Sequence, residues 1–259
     1  MKTKPDWQFA DTGPGIERGR KTRIIMLIGA WLAFINLLVA AAAPLARIYL
    51  DLPTMTAFTV FFASILIGLL LAAEGLLMIV VIAIRRLSSL WKRGLIMVLL
   101  GMVPLTSVIF TIGPERFKSP MIHDITTDMD DPPEFNQARS LRSAGDNTLE
   151  YEGEEIAEQQ KQAYPGIKPI IEELSRDEAL SRVVQVVLGL NWTLVNADFK
   201  TGIVEAYDTT RVFGFTDDIV IRVRTQGAGS RIDIRSVSRA GLGDAGMNAA
   251  RIREFLASF

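Results

Sequence analysis

Between Ile24 and Ile112 the chain holds three apolar runs that no water-exposed surface could carry. The first extends from Ile24 to Ala43 and meets Pro44. The second, Thr56 to Ile84, is interrupted only by Glu74. The third, Gly94 to Ile112, stops at Gly113-Pro114. A helix needs about 20 apolar residues to cross a hydrocarbon core roughly 30 Å thick. Core segments of a small soluble domain would alternate apolar and polar residues instead. The pattern predicts a basic arm over 1–23, three transmembrane helices within 24–112, and a soluble remainder. Ala40 to Ala43 offers the small residues of a signal-peptidase site, but the polar arm and the length of the run favour an uncleaved helix.

Basic residues set the expected orientation. The arm carries Lys2, Lys4, Arg18, Arg20, Lys21 and Arg23, and the second loop carries Arg85, Arg86, Lys92 and Arg93. The first loop has only Arg47, and Arg116 and Lys118 follow the third run. Positively charged loops stay in the cytoplasm. The amino terminus is therefore expected inside a bacterial inner membrane, in contact with its lipids, with the soluble half in the periplasm. Asn36 and Glu74 are the intramembrane polar candidates. Glu74 lies roughly 16 Å of helix from Arg85, so it should face the bundle, as a proton or ligand site or as a hydrogen-bonding group toward Asn36 or Thr106. Three helices are few for a complete transport path.

With 0 cysteines and 1 histidine, the chain excludes disulfides, thiolate metal sites, cysteine nucleophiles and multi-histidine centres. Its formal net charge of −1 gives no sign of a nucleic-acid partner. We assign no cofactor, metal site or catalytic residue.

Residues 113–174 read as a polar connector with one short helix near Glu154 to Ala163, ended by Pro165-Gly166. From Ser175 the pattern is regular. Ser175 and Glu178 form a capping box before an apolar stripe that ends at Gly189. Four strands follow, 192–199, 202–211, 217–225 and 231–237, and a last helix over 248–259. Their short turns imply antiparallel neighbours. The predicted architecture is a membrane α-helical region plus a soluble α+β domain over 175–259 with a four-stranded antiparallel sheet. One sheet face shows Ile219, Ile221, Val223, Ile232 and Ile234. The other shows Arg222, Arg224, Arg231, Asp233 and Arg235, read as a solvated face of weak cross-strand ion pairs or, less readily, an anion-binding surface.

Gly241-Leu242-Gly243-Asp244-Ala245-Gly246 matches G-x-G-x-x-G. A dinucleotide fingerprint opens a βαβ unit and has an acid about twenty positions on. With Phe259 so near, we expect instead a strand-to-helix turn capped by Asp244 or Asn248, or a helix start that holds an anion with Arg235 and Arg239. The acids from Asp124 to Asp131 lack the spacing of a calcium loop and are read as solvated. Ser236 and Ser238 have no sequence-local base.

Three stretches resemble a bacterial family of unknown function, the domain-of-unknown-function family 1499. They are His123-Asp124-Ile125-Thr126-Thr127-Asp128 with Pro132, Pro133 and Phe135; Tyr164-Pro165-Gly166-Ile167-Lys168-Pro169; and Phe215 to Arg222, continuing through Ile234 to Gly241 and Asp244 to Ile252. The resemblance covers roughly 119–259 and implies no reaction. The candidate ligand-binding set is Asp217, Asp218, Arg222, Arg235, Ser236, Arg239, Asp244 and Asn248. The reading is a non-enzymatic envelope module that binds a protein partner or an anionic ligand. The alternative is an enzyme or transport subunit with an anion site at the Arg/Asp-rich turn. Convergence of those side chains in one pocket would favour the alternative.

Overall fold

The computed structural model describes residues 14–85 and 90–259, without the side chains of residues 14–19 and 115. Lys2, Lys4 and Arg86, and the side chain of Arg18, lie outside what is described. The chain divides into two compact units, Met1–Ile112 and Gly113–Phe259.

The first unit holds α1 (Pro14–Leu50), α2 (Thr54–Arg85) and α3 (Trp91–Ile112). All three are long and apolar enough to cross a membrane. α1 runs through Pro44, where the sequence suggested a stop. An interior proline removes one intrahelical hydrogen bond, which neighbouring groups in a bundle can offset. The chain leaves the helix instead at Asp51, whose φ of 52° no helix accommodates. Glycine pairs bring α2 and α3 into close contact. A Cβ added to Gly75 would lie 2.8 Å from the Gly94 carbonyl oxygen, and one added to Gly94 would lie 3.0 Å from that of Gly75. Gly68 and Gly101 meet in the same way.

The second unit is an α+β domain. Its elements are β1 (Asp124–Thr126), α4 (Glu154–Ala163), β2 (Ile170–Glu172), α5 (Arg176–Gly189), β3 (Thr193–Asp198), β4 (Ile203–Thr209), β5 (Thr216–Gln226), β6 (Gly229–Ser238) and α6 (Met247–Ser258). The sheet has six antiparallel strands, not four, in the order β1-β6-β5-β4-β3, with β2 also on β6. The two extra strands come from the stretch read as connector. Each has three residues, too short to show a period of two. They share one edge of β6, β1 against Arg235–Val237 and β2 against Ser230–Ile232. Gly229 permits the second pairing, because a Cβ there would collide with the Glu172 carbonyl.

The Ser175–Glu178 capping box starts α5 as read, with both reciprocal hydrogen bonds formed. α5 and α6 cover one sheet face. Leu180, Val183, Val187, Ile252 and Phe255 pack there in a core with Ile219, Ile221, Val223, Ile232 and Ile234. The opposite face is not solvated. The irregular stretch between β1 and α4 lies over it, and Phe135, Ala138 and Leu149 pack on Val220 and Val237.

Candidate functional site

Alternation along β5 and β6 sends Arg222, Arg224, Arg231, Asp233 and Arg235 to the loop-covered face, as the sequence reading assigned them. Arg235 is 2% exposed. Its Nε and Nη2 donate to the two carboxylate oxygens of Asp124 at 2.9 and 2.6 Å. Its remaining hydrogen bonds reach the carbonyls of Pro133 at 3.2 Å and Leu149 at 2.9 Å. The rings of Phe135 and Tyr151 each lie 5.4 Å from the guanidinium carbon. Burial raises the Asp124 carboxyl above the ordinary range, against the hydrogen bonds and charge of Arg235. Burial and the Asp124 charge push the Tyr151 phenol up to about 12. A charge this enclosed tolerates burial only when it is paired and hydrogen-bonded, and Arg235 has a partner at each of its three guanidinium nitrogens.

Toward the hairpin end of the same face, Arg222, Arg224 and Arg231 interleave with Asp128, Asp131 and Asp233. Asp233 is fully buried and takes hydrogen bonds from Arg224 and Arg231 at 2.9 and 3.0 Å. Asp128 Oδ2 receives Arg231 at 2.8 Å and Arg224 at 3.1 Å. Asp131 lies at the rim with its side chain 65% exposed. The Arg222 charge holds its carboxyl below the usual value. Asp128 and Asp131, read as part of a solvated loop, are counterions of these arginines.

Toward the opposite end, the buried Asp218 accepts from Arg239 at 2.7 and 3.0 Å and from Arg142 at 2.7 Å. Arg239 also donates to the Leu141 carbonyl, and its protonated form is stabilised mainly by hydrogen bonding to Asp218. Beside them the fully buried Glu205 accepts the backbone amides of Asn136, Gln137 and Ala138 at 2.8, 3.1 and 2.7 Å. That carboxylate anchors the start of the short helical turn Ala138–Leu141.

The other candidates belong to the helix-covered face. Asn248, at the start of α6, accepts from Ser236 at 2.6 Å and Arg251 at 2.8 Å. It donates to the His123 carbonyl and the Ser238 hydroxyl, both at 2.9 Å. Arg251 bridges on to Asp217 at 2.8 Å and Asp208 at 2.9 Å. In the glycine-rich turn the Asp244 carboxylate accepts the amides of Gly246 and Asn248 at 2.8 and 2.6 Å. The α6 start is thus capped by the chain itself, and burial raises the Asp244 carboxyl. The strands on either side of the turn's sheet run antiparallel, so the G-x-G-x-x-G match does not open a βαβ unit.

The candidate set therefore divides. Asp218, Arg222, Arg235 and Arg239 lie on one face, and Asp217, Ser236, Asp244 and Asn248 on the other. Sequence reading missed Glu205, Arg142 and Arg251, because the amides that Glu205 accepts and the acids that pair with the two arginines are remote in the chain. In the first unit, Asn36 donates to the Ser64 carbonyl of α2 at 3.0 Å. Glu74 points toward α1, with Oε1 3.9 Å from where a Cβ on Gly29 would stand. Thr106 hydrogen-bonds within its own helix, to the carbonyls of Met102 and Val103.

The family model described as "Protein of unknown function (DUF1499)" matches residues 124–259. No curated protein matches the chain. The matched region begins at Asp124, the counterion of Arg235, and takes in all six strands and the candidate side chains of both sheet faces. With more than half of its length matched, the chain belongs to the DUF1499 family of proteins of unknown function.

Proposed function

We propose that this chain is a multi-pass protein of the bacterial inner membrane that presents its α+β domain to the periplasm as a non-enzymatic binding or accessory module of the cell envelope. The observation behind the non-enzymatic reading is the pairing of the charges. A catalytic acid, base or nucleophile has to meet substrate in a concave site. Here Asp124, Glu205, Asp217, Asp218 and Asp233 accept hydrogen bonds or ion pairs from neighbouring groups of the domain, and the candidates occupy two faces of one sheet. Side chains left partly open, such as Arg224 at 39% exposure and Arg231 at 29%, suit contact with a partner or an anionic ligand better than chemistry.

The orientation rests on Arg20, Lys21, Arg23, Arg85, Lys92 and Arg93 lying at one end of the apolar spans, whereas the turn between α1 and α2 has only Arg47 beside it, in the last turn of α1. Alkaline phosphatase fused after Ser119 should be active, and fused after Trp91 inactive. The reverse pattern would end the periplasmic assignment. For the module role, a photo-crosslinker at Arg224 in intact cells should capture an envelope protein. Turnover of a small molecule by the purified chain, lost in Asp218→Asn, would replace the module by an enzyme.

A further inference from the structure

The domain leaves one apolar patch open beside its point of attachment. Leu242 is 79% exposed, Met121 70%, Phe117 60% and Met247 36%. They come from two stretches that pack together. A Cβ on Gly243 would lie 3.0 Å from the Met121 Cα, the Asp244 amide donates to the Ile122 carbonyl, and Arg116 reaches the Met247 sulfur. Ser119 closes on the same turn at Gly246. Single exposed apolar residues are ordinary, but a cluster of four on a domain of this size marks a surface that meets something.

We propose that this patch docks on the lipid bilayer, so that the domain lies on the membrane surface instead of hanging from a free tether. The inference rests on the membrane-anchored reading above. Chain length favours lipid as the occupant. α3 ends at Ile112, and the stretch from Gly113 to Phe117 spans at most roughly 18 Å even when fully extended. Part of that stretch is a compact 3-10 turn, Pro114–Lys118, which is shorter still. Phe117 is therefore held within reach of the interface wherever α3 exits. Composition agrees. Arg116 and Lys118 flank Phe117 and outnumber Glu115, which suits anionic headgroups, while Phe, Met and Leu suit the boundary of the acyl chains. Gly243 and Gly246 keep Leu242 and Met247 on a turn that packs tightly on the segment leaving α3.

The absence of native cysteine makes the test direct. Single cysteines replace Leu242 or Met121 in the patch, Leu188 or Ile171 elsewhere on the domain, and Leu66 on the exposed side of α2. Each is nitroxide-labelled in the full chain, in vesicles of phosphatidylethanolamine and phosphatidylglycerol. Relaxation by oxygen, which partitions into lipid, is compared with relaxation by a water-soluble nickel complex. Labels at 242 and 121 should give an oxygen-to-nickel ratio several-fold above those at 188 and 171, and near that at 66. A water-like ratio at 242 and 121, with a lipid-like ratio at 66, overturns the docking and leaves the anchor standing. Shielding from both reagents means that protein covers the patch, and also overturns it. A water-like ratio at 66 removes the anchor and the inference together.

Discussion

The two faces of the sheet are closed by different means. On one, α5 and α6 lay an apolar stripe over Ile219, Ile221, Val223, Ile232 and Ile234, and burial of apolar surface holds the layer. On the other, a stretch with little regular structure is fixed by Arg235, Asp218, Glu205 and the Arg–Asp cluster around Asp233, over a small apolar centre at Phe135, Leu149, Val220 and Val237. Irregular backbone satisfies few of its own polar groups. Charged side chains from the sheet supply the missing donors and acceptors: Arg235 for two carbonyls and Glu205 for three amides. The cost of burying these charges is offset only while every partner is present. The apolar layer of the helix-covered face should therefore tolerate change gradually, whereas the loop-covered face, like the Arg251–Asp217 pair beside α6, should fail at single contacts.

The largest effect should follow from breaking the most enclosed pair. Arg235→Ala leaves Asp124 buried and uncompensated and should cost about 3–5 kcal/mol, read as a large fall in Tm. Ile221→Val on the other face should cost only about 0.5–1.5 kcal/mol. Equal losses at the two positions would break the contrast. Next, Glu205→Gln keeps the size of the side chain but removes a charged acceptor of three amides, and should cost about 1–3 kcal/mol. Limited proteolysis should then cut first near residues 136–141.

A smaller effect concerns pH at the α6 start. Burial raises the folded-state pKa of Asp244 above its ordinary 3.8. The folded state then binds the proton more tightly than the unfolded state, so this group's ionisation lowers stability as pH rises from about 3.8 through the raised value. Asp244→Asn removes that slope. The Tm of the wild type, relative to this variant, should fall across that window, and parallel Tm curves would contradict the assignment.

The same contrast explains what could be read from the sequence. Local signals named the helix-covered face correctly: the Ser175–Glu178 box, the apolar spacing of α5 and α6, and the alternation of β5 and β6. The arginines were placed on the right face too, since alternation sets side-chain direction. Their surroundings were not legible. Arg235 and Asp124 are 111 residues apart, and Asn136 and Glu205 are 69 apart, so no window connects them. β1 and β2 escaped for a related reason, since a three-residue strand is defined by the edge it joins. In the first unit the apolar spans were plain, whereas the continuation of α1 through Pro44 was not, because proline normally signals an end.

On these pairings the charged candidates hold the fold together instead of forming an open site. Arg239 tests this most directly, because it was a ligand candidate and proves to be the main partner of Asp218. Arg142 remains to Asp218 in Arg239→Ala, so the variant should still fold. Native-state hydrogen exchange on this variant and the wild type, with and without phosphate, separates the two roles. Exchange should become faster around residues 136–149 and change little in α5, with a loss of stability that phosphate does not alter. Wild-type exchange across 136–149, combined with loss of a phosphate-induced stabilisation seen in the wild type, would show that Arg239 serves a ligand and would contradict the account.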